Sequence, residues 1–186
     1  MAQRYSSRAS LVGFELANEP SDRYMSMRRD QLIGVYNQAY QIVRKHCREC
    51  HVVFNELYEV AYSDWTTHMV EPDYYNVVMD LHLYNWQAPY TYVNASEHIA
   101  NAVAWGGLID DLTQHHPVVV GEWCYSTGIF HQIGQSYVDA CVHSFRRASG
   151  WYLWNWKVQA DIPFAEWNVQ LQSNTPNGLR STYDTD

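Results

Sequence analysis

The sequence predicts an α/β fold on a parallel sheet, on three observations. Short apolar runs recur at 11–16, 52–54, 77–83, 118–120 and 151–156. The middle runs are nearly continuous and rich in valine, as strands of a parallel sheet covered on both faces should be. Stretches of helical apolar spacing lie between them, so strand and helix alternate along the chain.

Taken in order, Leu11-Val12-Gly13-Phe14-Glu15-Leu16 reads as a strand that runs into Ala17-Asn18-Glu19-Pro20. Residues 30–44 place Leu32, Ile33, Tyr36, Ala39, Tyr40 and Val43 on one helical stripe. Next comes His46-Cys47-Arg48-Glu49-Cys50-His51, read as a helix end entering a strand with incidental thiols. A structural zinc site of the common kind needs a second cysteine pair, and Cys124 and Cys141 are neither adjacent nor closely spaced. The strand at 77–83 alternates so that His82 and Tyr84 share a side. A helix is predicted over 96–112, capped by Ser96 and carrying Ile99, Ala100, Val103 and Ala104. The run at 118–120 leads to Gly121-Glu122-Trp123, and a further helix spans 133–148 and stops before Gly150. The last run puts Trp154 and Trp156 on one face. The polar tail after Lys157, with Pro163, Pro176 and Gly178, reads as a long loop closing the fold. No linker, low-complexity tract or repeat divides the chain, so residues 1–186 form one expected domain.

Composition narrows the partners. Lys and Arg number 12 against 20 Asp and Glu, a formal net charge of −8, which repels a phosphate backbone and argues against nucleic acid. A neutral polysaccharide meets no such repulsion. No apolar run reaches the roughly 18–20 residues of a membrane-spanning helix, so no membrane partner is expected. The first eight residues lack the apolar stretch of an export signal. The chain is rich in flat rings, with 15 Tyr, 8 Trp and 5 Phe; these stack on sugars where exposed and are core where buried.

Chemistry is expected where strands end, because the C-terminal ends of parallel strands converge on one face. Glu19 and Glu122 each sit just past such an end. A pair of carboxylic groups facing each other suits glycoside hydrolysis, in which one protonates the leaving oxygen and the other acts at the anomeric carbon. A single glutamate there reads as readily as a solvated loop carboxylate; two at equivalent ends favour the pair. His82 and Tyr84 suit hydrogen bonds to sugar hydroxyls or to a carboxylate, and read alone they also suit a satisfied core. Trp154 suits a platform for a pyranose face, and read alone it also suits packing.

These residues lie in four motifs: Gly13-Phe14-Glu15-Leu16-Ala17-Asn18-Glu19-Pro20, Asn76-Val77-Val78-Met79-Asp80-Leu81-His82-Leu83-Tyr84, Val118-Val119-Val120-Gly121-Glu122-Trp123 and Gly150-Trp151-Tyr152-Leu153-Trp154-Asn155-Trp156-Lys157. With them the sequence resembles glycoside hydrolase family 5, in particular its exo-β-1,3-glucanase branch. The tail Ala165-Glu166-Trp167-Asn168 with Asn177-Gly178-Leu179 also looks like the ending of that branch. The resemblance implies a (β/α)8 TIM-barrel glycosidase, here a partial barrel corresponding to strands four to eight. It further implies Glu19 as acid/base, Glu122 as nucleophile, and Asn18 on the sugar 2-hydroxyl. By the same resemblance Tyr84 lies beside Glu122, His82 contacts the sugar or the acid/base, and Trp154 floors the sugar site. It implies no metal and no cofactor, a β-glucan polysaccharide or oligosaccharide as substrate, and an extracellular or cell-surface full-length parent.

Two departures stand out. The family's first three strands, with an Arg and a His for the same site, have no counterpart here, and the aromatic expected soon after His82-Leu83-Tyr84 is offset to Trp86. Five strands are fewer than the eight of a closed barrel of about 250 residues. Hence a truncated product is expected, with self-association through unpaired sheet edges left open. An endo-β-1,4-glucanase or mannanase of the same family, and a non-catalytic glucan-binding remnant, remain as other readings.

Overall fold

The computed structural model describes residues 1–21, 28–56, 62–86, 93–127 and 130–156. The expected closing loop and the motifs after Lys157 lie outside the described residues. In chain order the elements are α1 (Ala2–Tyr5), β1 (Gly13–Glu15), α2 (Arg29–His46), β2 (His51–Asn55), a 3-10 turn at Tyr62–Trp65, β3 (Val77–Leu83), α3 (Ala95–Leu112), β4 (Val118–Trp123), α4 (Phe130–Phe145) and β5 (Gly150–Leu153). The strands form one sheet in the order β1-β2-β3-β4-β5, and β1–β2 and β2–β3 pair in parallel. Sequential order, with an α-helix in three of the four connections among the described residues, is the connectivity of a (β/α)8 barrel segment.

The chain divides into two compact units. The first holds Met1–Leu81 with Asp111–Val119; the second holds His82–Asp110 and the chain from Val120 onward. In the first unit, register pairs Gly13 with His51, Val53 with Val78 and Asn55 with Asp80. Val52 and Phe54 point to one face and are fully buried. Phe54 packs against Tyr36 at 5.9 Å, Trp65 at 5.6 Å and His116 at 5.2 Å between ring centroids. On α2 the buried residues are Leu32, Tyr36, Tyr40 and Val43, the apolar stripe of a helix laid on a sheet. Its C-terminal end is tied down by Arg44, which donates to the carbonyls of Cys50 at 2.7 Å and Asn76 at 3.2 Å and stacks over Tyr40 and Tyr75. A cation at a helix C-terminus also suits the helix dipole.

The second unit is built around stacked rings. Trp105 lies parallel to Phe145 at 5.9 Å, Phe145 meets Trp123 edge-on at 5.2 Å, and Trp123 meets Trp151 at 5.6 Å. Ser144 on α4 donates to the Val103 carbonyl of α3 at 3.4 Å.

Several expectations need correction. Strand β1 is shorter than 11–16, with Val12 left exposed. Strand β5 ends at Leu153, so Trp154 and Trp156 lie beyond it. Helix α3 starts at Ala95, and its cap is Asn94, not Ser96. The Asn94 side chain accepts the Glu97 N–H at 3.1 Å while Glu97 accepts the Asn94 N–H at 2.9 Å, a reciprocal capping box. The buried face of α3 is accordingly His98, Ala102, Trp105, Ile109 and Leu112, and Val103 faces outward. Helix α4 begins at Phe130 and breaks at Gly134, whose φ of 33° only a residue without Cβ adopts freely. Cys47 and Cys50 are joined by a disulfide across the α2–β2 turn, so those thiols are not incidental.

Gly13 lets β1 approach β2 closely. A Cβ there would lie 2.6 Å from the His51 carbonyl oxygen and 2.9 Å from His51 Cβ. Gly13→Ala should therefore destabilise the chain by about 1–3 kcal/mol, read as a lower urea midpoint with unchanged slope. His116 gives a pH signature. Burial holds its imidazole below the ordinary histidine range, though the Trp65 carbonyl it faces opposes the shift. Below about pH 6.5 the unfolded chain takes up the proton first, so stability present above that pH is lost as pH falls. His68 and His98 shift the same way through burial. Unfolding curves between pH 7.5 and 5.5 should thus show falling stability, with a shallower slope in His116→Gln.

Candidate active site

In the first unit the chain leaves β1 with one more rung, Leu16 N–H to the Val53 carbonyl at 2.9 Å. It then turns through Asn18, which is exposed, and Glu19, which is half-buried, to Pro20 and Ser21, both buried. Glu19 takes a φ of 43°, a left-handed conformation that costs a non-glycine residue roughly 1–2 kcal/mol. That conformation needs support, and the Glu19 N–H finds it in the Oδ1 of Asn55 at 3.1 Å.

Asn55 is the last residue of β2 and is 1% exposed. Its Nδ2 donates to the Asp80 carbonyl at 3.1 Å, and its own carbonyl accepts the Tyr36 hydroxyl at 2.7 Å. Burial, reinforced by the carboxylates of Glu56, Glu15 and Asp80, pushes the Tyr36 phenol far up, so it remains a donor at any working pH. The sequence reading passed over Asn55. Applying the strand-end rule to 52–54, as it was applied to the other runs, would have found it.

In the second unit Glu122 sits on β4 with its side chain 17% exposed. The Tyr84 hydroxyl donates to Glu122 Oε2 at 2.5 Å, and His82 Nδ1 lies 3.6 Å from the same oxygen on a nearly inaccessible ring. A phenol donor and an imidazole on one carboxylate oxygen fix its direction and leave the other oxygen for different work. Trp123, next in sequence, is the ring at the centre of this unit's core, so the backbone under Glu122 is anchored. Beyond Tyr84 the buried side chain of Asn85 donates to the His98 carbonyl at 3.2 Å and accepts from Asn101 at 3.0 Å, pinning the strand end to α3. Asn85 also escaped the sequence reading. The Trp154 N–H donates to the Trp123 carbonyl at 2.8 Å while its ring is exposed, as are Tyr152 and Trp156. Burial pushes the Tyr125 phenol up to about 12, so it adds no charge near the end of β4.

The structure thus gathers Glu122, Tyr84 and His82 in one unit, with Trp154 held to the same strand. Asn18 and Glu19 belong to the other. Residues 1–160 match the model of the cellulase family, glycosyl hydrolase family 5. The chain belongs to glycosyl hydrolase family 5. Family relatives similar in sequence include a glucan 1,3-beta-glucosidase of Pichia angusta, 24% identical over 86% of this chain and 46% of its own length. Another is glucan 1,3-beta-glucosidase 1 of Schizosaccharomyces pombe, 26% identical over 87% and 45%. The chain spans about half the length of the curated relatives it matches. A solved β-glucanase from Saccharophagus degradans aligns with a TM-score of 0.65 at 13% identity, over 87% of this chain and 49% of that one. Thermotoga maritima Cel5A, crystallised with mannotriose, aligns at 0.66 and 14% identity over 90% and 57%. These likenesses give the fold: the chain is part of a (β/α)8 barrel of the family 5 type. Among the described residues no helix is long and apolar enough to cross a membrane.

Tyr84→Phe removes one hydrogen bond to a carboxylate and little volume. Such bonds are worth about 1.5–3 kcal/mol. The variant should therefore be less stable by about that amount, read as a lower urea midpoint with unchanged slope.

Proposed function

We propose that this family 5 chain carries the two catalytic carboxyl groups of a retaining β-glycoside hydrolase, and that the enzyme is a glucan exo-1,3-β-glucosidase. The observation that carries the reading is Glu122 held by the Tyr84 hydroxyl beside the His82 imidazole. A nucleophile has to be aimed, and a hydrogen-bond donor on one oxygen fixes its direction. In this reading Glu122 attacks the anomeric carbon and forms a glycosyl-enzyme. Glu19 protonates the departing oxygen, then takes a proton from the water that releases the sugar. The two groups need unlike environments, one keeping its proton at rest and the other charged. Asn18 serves the 2-hydroxyl, whose hydrogen bond strengthens as the oxocarbenium character grows. Trp154 offers its exposed ring to the apolar face of the sugar.

The 1,3 linkage is supported by the sequence relatives, which are glucan 1,3-beta-glucosidases, and exo action is carried over from the resemblance of the sequence motifs. The substrate proposed is a β-glucan polysaccharide or oligosaccharide, and the full-length parent is proposed to work outside the cell or at its surface.

Release of glucose from laminarin and of nitrophenol from p-nitrophenyl β-glucoside tests the reading on the purified chain and on a longer protein containing it. Glu19→Gln and Glu122→Gln are each expected to abolish laminarin turnover. Full activity in either variant would sink the assignment. Release of oligosaccharides without free glucose would move the enzyme to the endo class. Laminarin binding without turnover by any form would favour a glucan-binding role.

A further inference from the structure

We propose that Asn55 is a positioning residue for Glu19, fixing the left-handed backbone from which the acid/base carboxyl projects. The proposal rests on Glu19 being the proton donor, and the experiment separates the two ideas.

The ladder between β1 and β2 ends at the bond from Leu16 N–H to the Val53 carbonyl. Past that rung Asn55 replaces the ladder, its side-chain oxygen accepting the Glu19 N–H at 3.1 Å. Both ends of the amide are committed, because Nδ2 donates to the Asp80 carbonyl at 3.1 Å. The orientation of the amide is therefore dictated by its partners: an N–H needs the oxygen, and a carbonyl needs the nitrogen. The main chain of Asn55 is held in turn, since the Tyr36 hydroxyl donates to its carbonyl. Asn55 is 1% exposed, so water cannot substitute for a missing partner without entering a closed space.

Geometry makes the choice of side chain narrow. Aspartate has the acceptor for Glu19 but would set a carboxylate oxygen against the Asp80 carbonyl. Leucine fills the volume and offers neither group. Glutamine places its amide one carbon too far out. Glu19 at φ 43° is a conformation that persists where the surroundings over-determine it, and Asn55 is the side chain that grips its N–H. Proton transfer requires the carboxyl within hydrogen-bond reach of the departing oxygen, so a shift of about 1 Å costs about a hundredfold in rate. Asn55 acts on that distance without touching the substrate.

The test compares wild type, Asn55→Ala, Asn55→Leu and Glu19→Ala on two substrates. Laminari-oligosaccharides have a leaving group that needs protonation; 2,4-dinitrophenyl β-glucoside has one that departs without it. Both Asn55 variants should lose about tenfold to a hundredfold in kcat/KM on the oligosaccharides and less than about threefold on the dinitrophenyl substrate. An equal loss on both substrates, when Glu19→Ala shows the split, overturns the proposal. If Glu19→Ala shows no split, the acid/base reading of Glu19 fails instead. A second measurement needs no turnover: hydrogen exchange of the Glu19 amide should quicken at least about tenfold in Asn55→Ala while the Leu16 amide is unchanged. Unchanged exchange at Glu19 overturns the proposal on its own.

Discussion

Phe54 sets the first unit of this chain. Its ring is fully buried among Tyr36, Trp65 and His116, and it decides which face of β2 meets the helices. Because side chains alternate, that choice also sends Asn55 to the opposite face, in register with Asp80. A slip of one residue would bury an amide among aromatic rings and turn Phe54 toward the polar side. The apolar packing therefore also carries positional information for a polar side chain. The same logic holds in the second unit, where Trp123 is locked between Phe145 and Trp151 and the neighbouring Glu122 is placed by that anchoring.

Strand-end polar residues are held by two kinds of partner in this chain. Glu122 is held through its side chain, by a phenol and an imidazole supplied from the end of β3. Glu19 is held through its backbone, by the amide of Asn55. The difference suits the work proposed for each. A nucleophile benefits from a fixed oxygen. An acid/base has to give and take a proton at a fixed place, and a grip on its main chain sets where its side chain starts.

Much of the fold was legible because parallel strands buried on both faces leave near-continuous apolar runs, and 77–83 matched its strand to the residue. Boundaries were less legible where two signals compete. Asn94 and Ser96 are both good caps, and only the pairing of Asn94 with Glu97 decides between them. Apolar spacing alone also listed Val103, which the helix turns outward while it buries Trp105. Of the candidate site, the residues with distinctive chemistry were picked out by one rule, a polar side chain at or just past a strand end, although β3 and β4 run far enough to include His82 and Glu122. Asn55 and Asn85 follow the same rule and were missed, because an asparagine after a strand reads equally well as the start of a turn. What separates a turn asparagine from a structural one is the number of partners, and partners are three-dimensional.

The sorting of the indoles has an optical consequence. Trp65, Trp105 and Trp123 are enclosed, at 0%, 8% and 1% exposure, whereas Trp86, Trp154 and Trp156 are at 37%, 47% and 63%. Enclosed indoles emit at shorter wavelength and are shielded from a dissolved quencher; open ones emit farther to the red and are dimmed by it. Acrylamide, being neutral, is not turned away by the acidic surface as iodide would be. From these six indoles, among the described residues, come two separate signals, a blue one that follows the integrity of the core and a red one that follows whatever covers the open rings.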